Sequence, residues 1–172
     1  MVKIRTLLGY YISDLVYGAN DGIITTFAVV SGAAGAGFSA RVIVILGVAN
    51  LIADGFSMGA SKYLSLTSEQ DYQGVERTAE HARDARIDGS ITFLAFVAAG
   101  FLPLMPFFYS VSQNSQFLVS AVATAAALFF VGAARSIVTR RNFFVSGLEM
   151  LFVGGIAAAI AYGIGFLVER LV

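Results

Sequence analysis

Five apolar stretches separated by short polar segments dominate the pattern of the chain. A helix needs about 20 mainly apolar residues to cross a bilayer, so we predict membrane-spanning helices at about 14–36, 41–62, 90–109, 116–136 and 144–168. Pro103 and Pro106 should kink or end the third helix, because proline lacks the N–H that a helix needs. The pattern predicts an all-α polytopic membrane protein in which residues 1–172 form one transmembrane domain.

Lysine and arginine are distributed unevenly between the two sides of this bundle. With the N-terminus in the cytosol, the outer side holds only Arg41 and Arg170, and the inner side holds Lys3, Arg5, Lys62, Arg77, Arg83, Arg86, Arg135, Arg140 and Arg141. Cytoplasmic segments are enriched in these residues, so we expect the N-terminus inside and the C-terminus outside. An odd number of spans excludes two equal inverted halves in one chain, so a dimer would form a pathway more easily.

Two GxxxG pairs allow close helix approach: Gly18 with Gly22, and Gly55 with Gly59. Packing within one chain is the favoured interpretation, and oligomerisation is the alternative.

Composition narrows the class further. The chain is 58% hydrophobic and 13% charged, whereas soluble domains carry about 25% charged residues. A net charge of zero argues against a nucleic-acid partner. Cysteine and the HExxH motif are missing from the sequence, and the only histidine, His81, lies outside the predicted spans. We therefore expect no enzyme activity and no permanently bound cofactor.

Acidic residues inside the predicted spans suggest chemistry. Asp14 lies at the inner boundary, where its charge costs little, whereas Asp21, Asp54 and Glu149 lie deeper. An Asp near the centre of a spanning helix costs about 2.5–3.5 kcal/mol. Intramembrane carboxylates usually mark paths for ions or protons, so we assign Asp21 and Asp54 to metal binding and proton coupling.

The second span places four heteroatom side chains on one helical column. Asn50, Asp54, Met58 and Lys62 follow one another at steps of four and so share a face. Oxygen ligands with one thioether favour a transition ion such as Fe²⁺ or Mn²⁺. Met58 could instead be a core filler, and Lys62 is expected to be an anchor at the interface.

Two further acidic features have alternative interpretations. Glu149 either pairs with Arg135, Arg140 or Arg141, or it binds a cation or proton near the inner entrance. In the cytosolic connector, 65–89, an acidic stripe suggests a solvated helix or a weak cation-collecting surface; it comprises Glu76, Glu80, Asp84 and Asp88.

Four segments together resemble the vacuolar iron transporter (VIT/CCC1-type) family: "GANDGIITTFAVVSGAAGAG", "LGVANLIADGFSMGASKYLS", "TFLAFVAAGFLPLMPF" and "FFVSGLEMLFVGGIAAAIAYGIG". The resemblance implies a homodimer of five-helix protomers with the ion path at or near the dimer interface. It further implies export of Fe²⁺, and often Mn²⁺, from the cytosol with proton coupling. By position, Asp21 and Met58 would contact the metal. Asn50 falls where plant relatives place a glutamate, and Asp54 could supply that charge.

Two departures from the family pattern concern the cytosolic side. Lys62 replaces the carboxylate of the family's "GEY" segment, and this positive charge could weaken cation entrance. The short connector replaces a helical metal-binding domain rich in glutamate and methionine, of which Glu76 and Glu80 could be the remnant. The untargeted chain favours a prokaryotic plasma membrane.

Two other functions remain open at this stage. One is a transporter of another cation or of protons alone. The other is a non-transporting membrane scaffold that partners a metal-binding protein, in which the buried carboxylates would be paired with arginine.

Overall fold

The computed structural model describes the backbone of residues 2–74, 78–109, 113–139 and 141–172, and the side chains of 11–74, 78, 81–109, 115–136 and 141–172. Every regular element in these ranges is helical, which confirms the predicted all-α class. The helices are α1 (Val2–Gly35), α2 (Ala40–Tyr72), α3 (Ala79–Gly100), α4 (Met105–Phe108), α5 (Gln113–Thr139) and α6 (Phe143–Leu171), with a 3₁₀ turn at Leu102–Leu104.

Four helical segments in the described residues are long and apolar enough to cross a membrane. They are Ala40–Tyr72, His81–Phe108, Ser115–Ser136 and Phe143–Leu171. Helix α1 is not among these four, because its polar side chains, above all Asn20 and Asp21, lower its mean hydropathy. Its length is sufficient, since 34 residues extend about 50 Å. The structure thus supports a membrane protein with five long helices, and the first span stays a prediction.

Helix α1 lies at the centre of the bundle, where it packs against α2, α3, α5 and α6. It ends at a small-residue turn, as the sequence indicated. Gly37 has φ of +68°, and the Phe38 N–H donates to the Ala33 carbonyl at 2.9 Å. This is a Schellman ending, which favours glycine because its left-handed backbone is costly for other residues. The turn sends α2 back antiparallel to α1.

The prolines end α3 as predicted. The helix stops at Gly100, Pro103 lies in the 3₁₀ turn, and Pro106 lies in the first turn of α4. Ser120 of α5 donates a hydrogen bond to the Pro103 carbonyl at 2.6 Å, which satisfies an oxygen that the broken helix leaves free.

Both GxxxG pairs are used within the chain. Gly18 and Gly22 lie against the α3 backbone around Thr92 and Phe96, and a Cβ at Gly18 would lie 2.5 Å from the Thr92 carbonyl oxygen. Gly59 meets Gly89 of α3 in the same way. Two helices therefore contact α3 almost backbone to backbone, which fixes α1, α2 and α3 as one tightly packed unit.

Replacing Gly100 by alanine should destabilise this unit by about 1–3 kcal/mol. The new Cβ would lie 2.6 Å from both the Gly22 carbonyl oxygen and Leu51 Cδ1, so a backbone would have to shift. Thermal unfolding of the detergent-purified protein measures the loss. The control is Gly155→Ala in α6, where a Cβ meets nothing within 4 Å. Equal melting temperatures for Gly100→Ala and wild type would contradict the close packing.

Candidate functional site

Asp21 on α1 and Asp54 on α2 lie within range of an electrostatic interaction with each other. Both residues are partly buried. Their meeting follows from chain geometry, because they lie at nearly equal distances from the turn between two antiparallel helices. Among the described side chains, neither carboxylate forms an ion pair with lysine or arginine. Two unneutralised carboxylates within electrostatic range of each other in an apolar bundle are more stable when a cation or proton compensates them.

The other two predicted ligands of α2 are partly buried. Asn50 Nδ2 is enclosed without a hydrogen-bond partner in the described structure. This NH2 group is a donor, so it has capacity for a water or another acceptor and does not itself bind a cation. Met58 packs against the main core cluster, which includes Leu51 and Phe96. This contact agrees with the filler interpretation of Met58 and leaves its ligand role a prediction.

Glu149 is engaged in an ion pair. Its Oε2 lies 2.8 Å from Arg135 Nη2 and its Oε1 lies 3.9 Å from Arg141 Nη1, so the arginine interpretation is confirmed for this residue. The third candidate partner, Arg140, lies outside the described residues. A direct role for Glu149 in cation binding would require this pair to open.

Asn20 is a polar residue that sequence reasoning left out of the site. Its Oδ1 is buried without a partner in the described structure. The residue lines an open cleft of about 410 Å³ with Arg135, Glu149 and Met150. The sequence feature that could have identified Asn20 as a site residue is its position next to Asp21. Asn20 thus lines the Glu149 cleft, and Asp21, which interacts electrostatically with Asp54, is the next residue of α1.

Asp14, whose charge was expected to cost little at the inner boundary, is 6% exposed and is compensated by an ion pair. The expectation for Lys62 was wrong. Lys62 was expected to be an anchor at the interface, yet its Nζ lies 2.7 Å from Asp14 Oδ1. The pair forms because the antiparallel helices place both residues at the same end of the bundle.

The acidic stripe of the connector does not behave as one solvated face. Asp84 is exposed, but Asp88 is only 5% exposed, so the solvated interpretation was wrong for Asp88. The burial follows from α3 packing by its Gly89 against α2. Glu76 and the side chain of Glu80, the two candidates for cytosolic metal capture, lie outside the described residues.

In the part of the chain that the structure describes, histidine, cysteine, aspartate and glutamate form no group of three or more arranged to hold a metal ion. Among the described residues, one protomer therefore supplies two carboxylates within electrostatic range of each other, and further ligands there would be amide or thioether groups, water or groups of a second copy.

The family model described as the VIT family matches residues 12–87 and 81–166. The vacuolar iron transporter of Plasmodium berghei (strain Anka) is 26% identical, with 92% of this chain and 82% of the relative covered. That of Toxoplasma gondii (strain ATCC 50861 / VEG) is 26% identical, with 94% and 76% covered. Vacuolar iron transporter 1 of Arabidopsis thaliana is 24% identical, with 94% and 88% covered.

The matches also indicate where the relatives are longer. The alignment with the Plasmodium berghei protein spans 225 positions, more than the 172 residues of this chain. The family model matches in two parts that overlap at residues 81–87, near the end of the connector. Both observations agree with a connector that is shorter than its counterpart in the relatives.

The interacting carboxylates of Asp21 and Asp54 generate a stability prediction. Asp54→Asn should stabilise the metal-free protein by on the order of 1 kcal/mol, because it removes the repulsion from Asp21 and part of the cost of a buried charge. Thermal unfolding in chelator-treated buffer measures this change. Glu169→Gln, an exposed carboxylate near the end of α6, is the control and should be neutral. A lower melting temperature for Asp54→Asn would show that the carboxylate has a stabilising partner.

Proposed function

The chain belongs to the VIT family, and from that premise we propose that it carries Fe²⁺, with Mn²⁺ as a second substrate, out of the cytosol in exchange for protons. Membership of this family makes the protein a membrane transporter and not an enzyme. The observation that carries the proposal is the pair of interacting carboxylates, Asp21 and Asp54, which lack a cationic partner among the described side chains.

The proposed ligand set follows from the chemistry of these positions. Asp21 and Asp54 supply anionic oxygens, Asn50 a neutral amide oxygen, and Met58 a thioether sulfur. Carboxylates alone would suit Mg²⁺ or Ca²⁺, and the sulfur shifts the preference towards softer transition ions. The scaffold alternative required the buried carboxylates to be clamped by arginine. Asp21 and Asp54 have no such partner among the described side chains, and Glu149, which does pair with Arg135, is exposed.

Proton coupling follows from competition for the same oxygens. A carboxylate oxygen binds either a proton or a metal ion, so in the absence of metal the oxygens of both residues are available to protons. A divalent cation neutralises both carboxylates and displaces those protons. Asp21 and Asp54 therefore fulfil the minimal requirement for antiport, which is mutually exclusive binding of metal and proton.

We propose a homodimer of five-span protomers with the N-terminus in the cytosol, as the distribution of lysine and arginine favours. The described residues of one chain hold no group of three or more acidic or histidine ligands, which supports a path at or near the interface between two copies. The outward side of α6 carries exposed apolar side chains such as Phe152, suited to lipid or to a second protomer. The membrane is proposed to be a prokaryotic plasma membrane.

Glu149 is proposed to guide metal at the inner entrance. Its cleft lies on the other side of α1, next to Asn20, and opening of the Arg135 pair would free its carboxylate. The short connector, with Glu76 and Glu80, is proposed to be a weak collecting surface for cations.

The decisive experiment is metal uptake into inside-out vesicles with and without a proton gradient. Asp21→Asn should lower Fe²⁺ uptake at least tenfold, because it removes one of two anionic ligands and the group that exchanges metal for protons. Asp71→Asn, an exposed aspartate near the end of α2, is the matched control and should transport normally. Unchanged uptake by Asp21→Asn would end the assignment of this residue.

The role of Met58 generates a prediction about selectivity. Met58→Leu conserves volume and core packing but removes the sulfur. It should weaken stabilisation by Fe²⁺ and Co²⁺ several-fold more than stabilisation by Mn²⁺ or Ca²⁺, because thioethers prefer softer ions. Melting temperatures across a series of metal concentrations measure this difference. An equal loss for all four ions would show that Met58 only fills space.

A further inference from the structure

Three charged side chains from three helices meet at the inner end of the bundle, apart from the proposed metal ligands. Asp14 of α1 and Asp88 of α3 are 6% and 5% exposed. Lys62 of α2 lies with its ammonium nitrogen 2.7 Å from Asp14 Oδ1. Asp88 interacts electrostatically with both Asp14 and Lys62. We call Asp14, Lys62 and Asp88 the inner triad.

Asp88 differs from Asp14 in lacking a close cationic contact. Its Oδ1 is buried without a hydrogen-bond partner in the described structure. The charged groups that face it are Asp14 from α1, Lys62 from α2 and Asp84 from its own helix. Two of these three are acidic, and Asp84 is exposed to solvent. Asp88 is therefore a buried carboxyl group in surroundings that disfavour its ionised form.

The charges of the inner triad do not balance when both carboxylates are ionised. One ammonium offsets one carboxylate, and the 2.7 Å contact assigns it to Asp14. The second carboxylate leaves one net negative charge among packed helices, which is costly to bury. A single proton on Asp88 makes the cluster neutral.

We propose that the inner triad is a proton-binding site, in which Asp88 holds one exchangeable proton while Lys62 neutralises Asp14. Binding converts the Asp88 carboxylate to the carboxylic acid, and release returns the proton to water. The side chain of Lys62 is 32% exposed, so the cluster has access to the aqueous phase. A role for this proton in transport rests on the proposed antiport, whereas proton binding itself does not.

Infrared spectroscopy of the purified, metal-free protein tests the inference directly. A protonated carboxylic acid has a C=O stretch that is separate from the bands of a carboxylate. Wild type at neutral pH should show this band, and Asp88→Asn should lose a band equivalent to one acid. Asp84→Asn, on the same helix one turn away and exposed, is the matched control and should keep it. A full band in Asp88→Asn would overturn the proposal.

Two variants separate charge balance from simple burial. In Asp14→Asn, Lys62 is released to pair with Asp88, so Asp88 should ionise and the band should again lose one acid. In Lys62→Met, the two carboxylates have lost their shared cation, so the intensity of the C=O band should increase by the equivalent of one carboxylic acid. Retention of the wild-type band in both variants would show that Asp88 is protonated by burial alone, which contradicts the triad. Gel filtration confirms that each variant is folded.

Vesicle transport tests the coupling role separately. Asp88→Asn should still move metal, but each metal ion should be accompanied by fewer returning protons, measured with an internal pH dye. An unchanged proton-to-metal ratio would overturn the coupling role. If wild type moves no metal, the proposed function fails, while the infrared result still decides whether the triad binds a proton.

Discussion

The arrangement of this protein depends on one constraint, which is that a carboxylate placed in an apolar bundle must be compensated. The structure contains two direct solutions. Asp14 has an ammonium at 2.7 Å, and Glu149 has a guanidinium at 2.8 Å. Asp21 and Asp54 have neither among the described side chains and interact electrostatically with each other instead. Cations or protons from outside the bundle could compensate them, which is the basis of the antiport proposed above.

Close helix packing makes these electrostatic relationships specific. Glycines on α1 and α2 lie against the α3 backbone, so the side chains around them have little freedom to move apart. Helix α1 then presents different polar groups to different neighbours. Asp14 faces α2 and α3, and Asn20 faces the cleft beside α6. One central helix therefore contributes to the metal path, the inner triad and the Glu149 cleft, and a shift of α1 would affect all three.

Sequence periodicity was sufficient for the helical class and the proline break, because these depend on local spacing along the chain. The assignment of Asp21 and Asp54 to one site stays a prediction, which their electrostatic interaction supports. The Asp14–Lys62 pair was missed because snorkelling and pairing look alike when each helix is considered alone. The burial of Asp88 was missed for a related reason. Spacing placed it on an acidic stripe with Asp84, but only the contact between α3 and α2 determines which member of the stripe is enclosed.

The pairing of Lys62 also changes what its charge does at the inner mouth. Considered alone, a lysine in place of a carboxylate would repel an approaching cation. Its ammonium is instead assigned to Asp14, and Asp88 lies close by, so the local charge is neutral or negative and never that of an isolated cation. Held at Asp14, the ammonium stabilises the junction of three helices. The substitution is therefore compatible with the proposed cation passage.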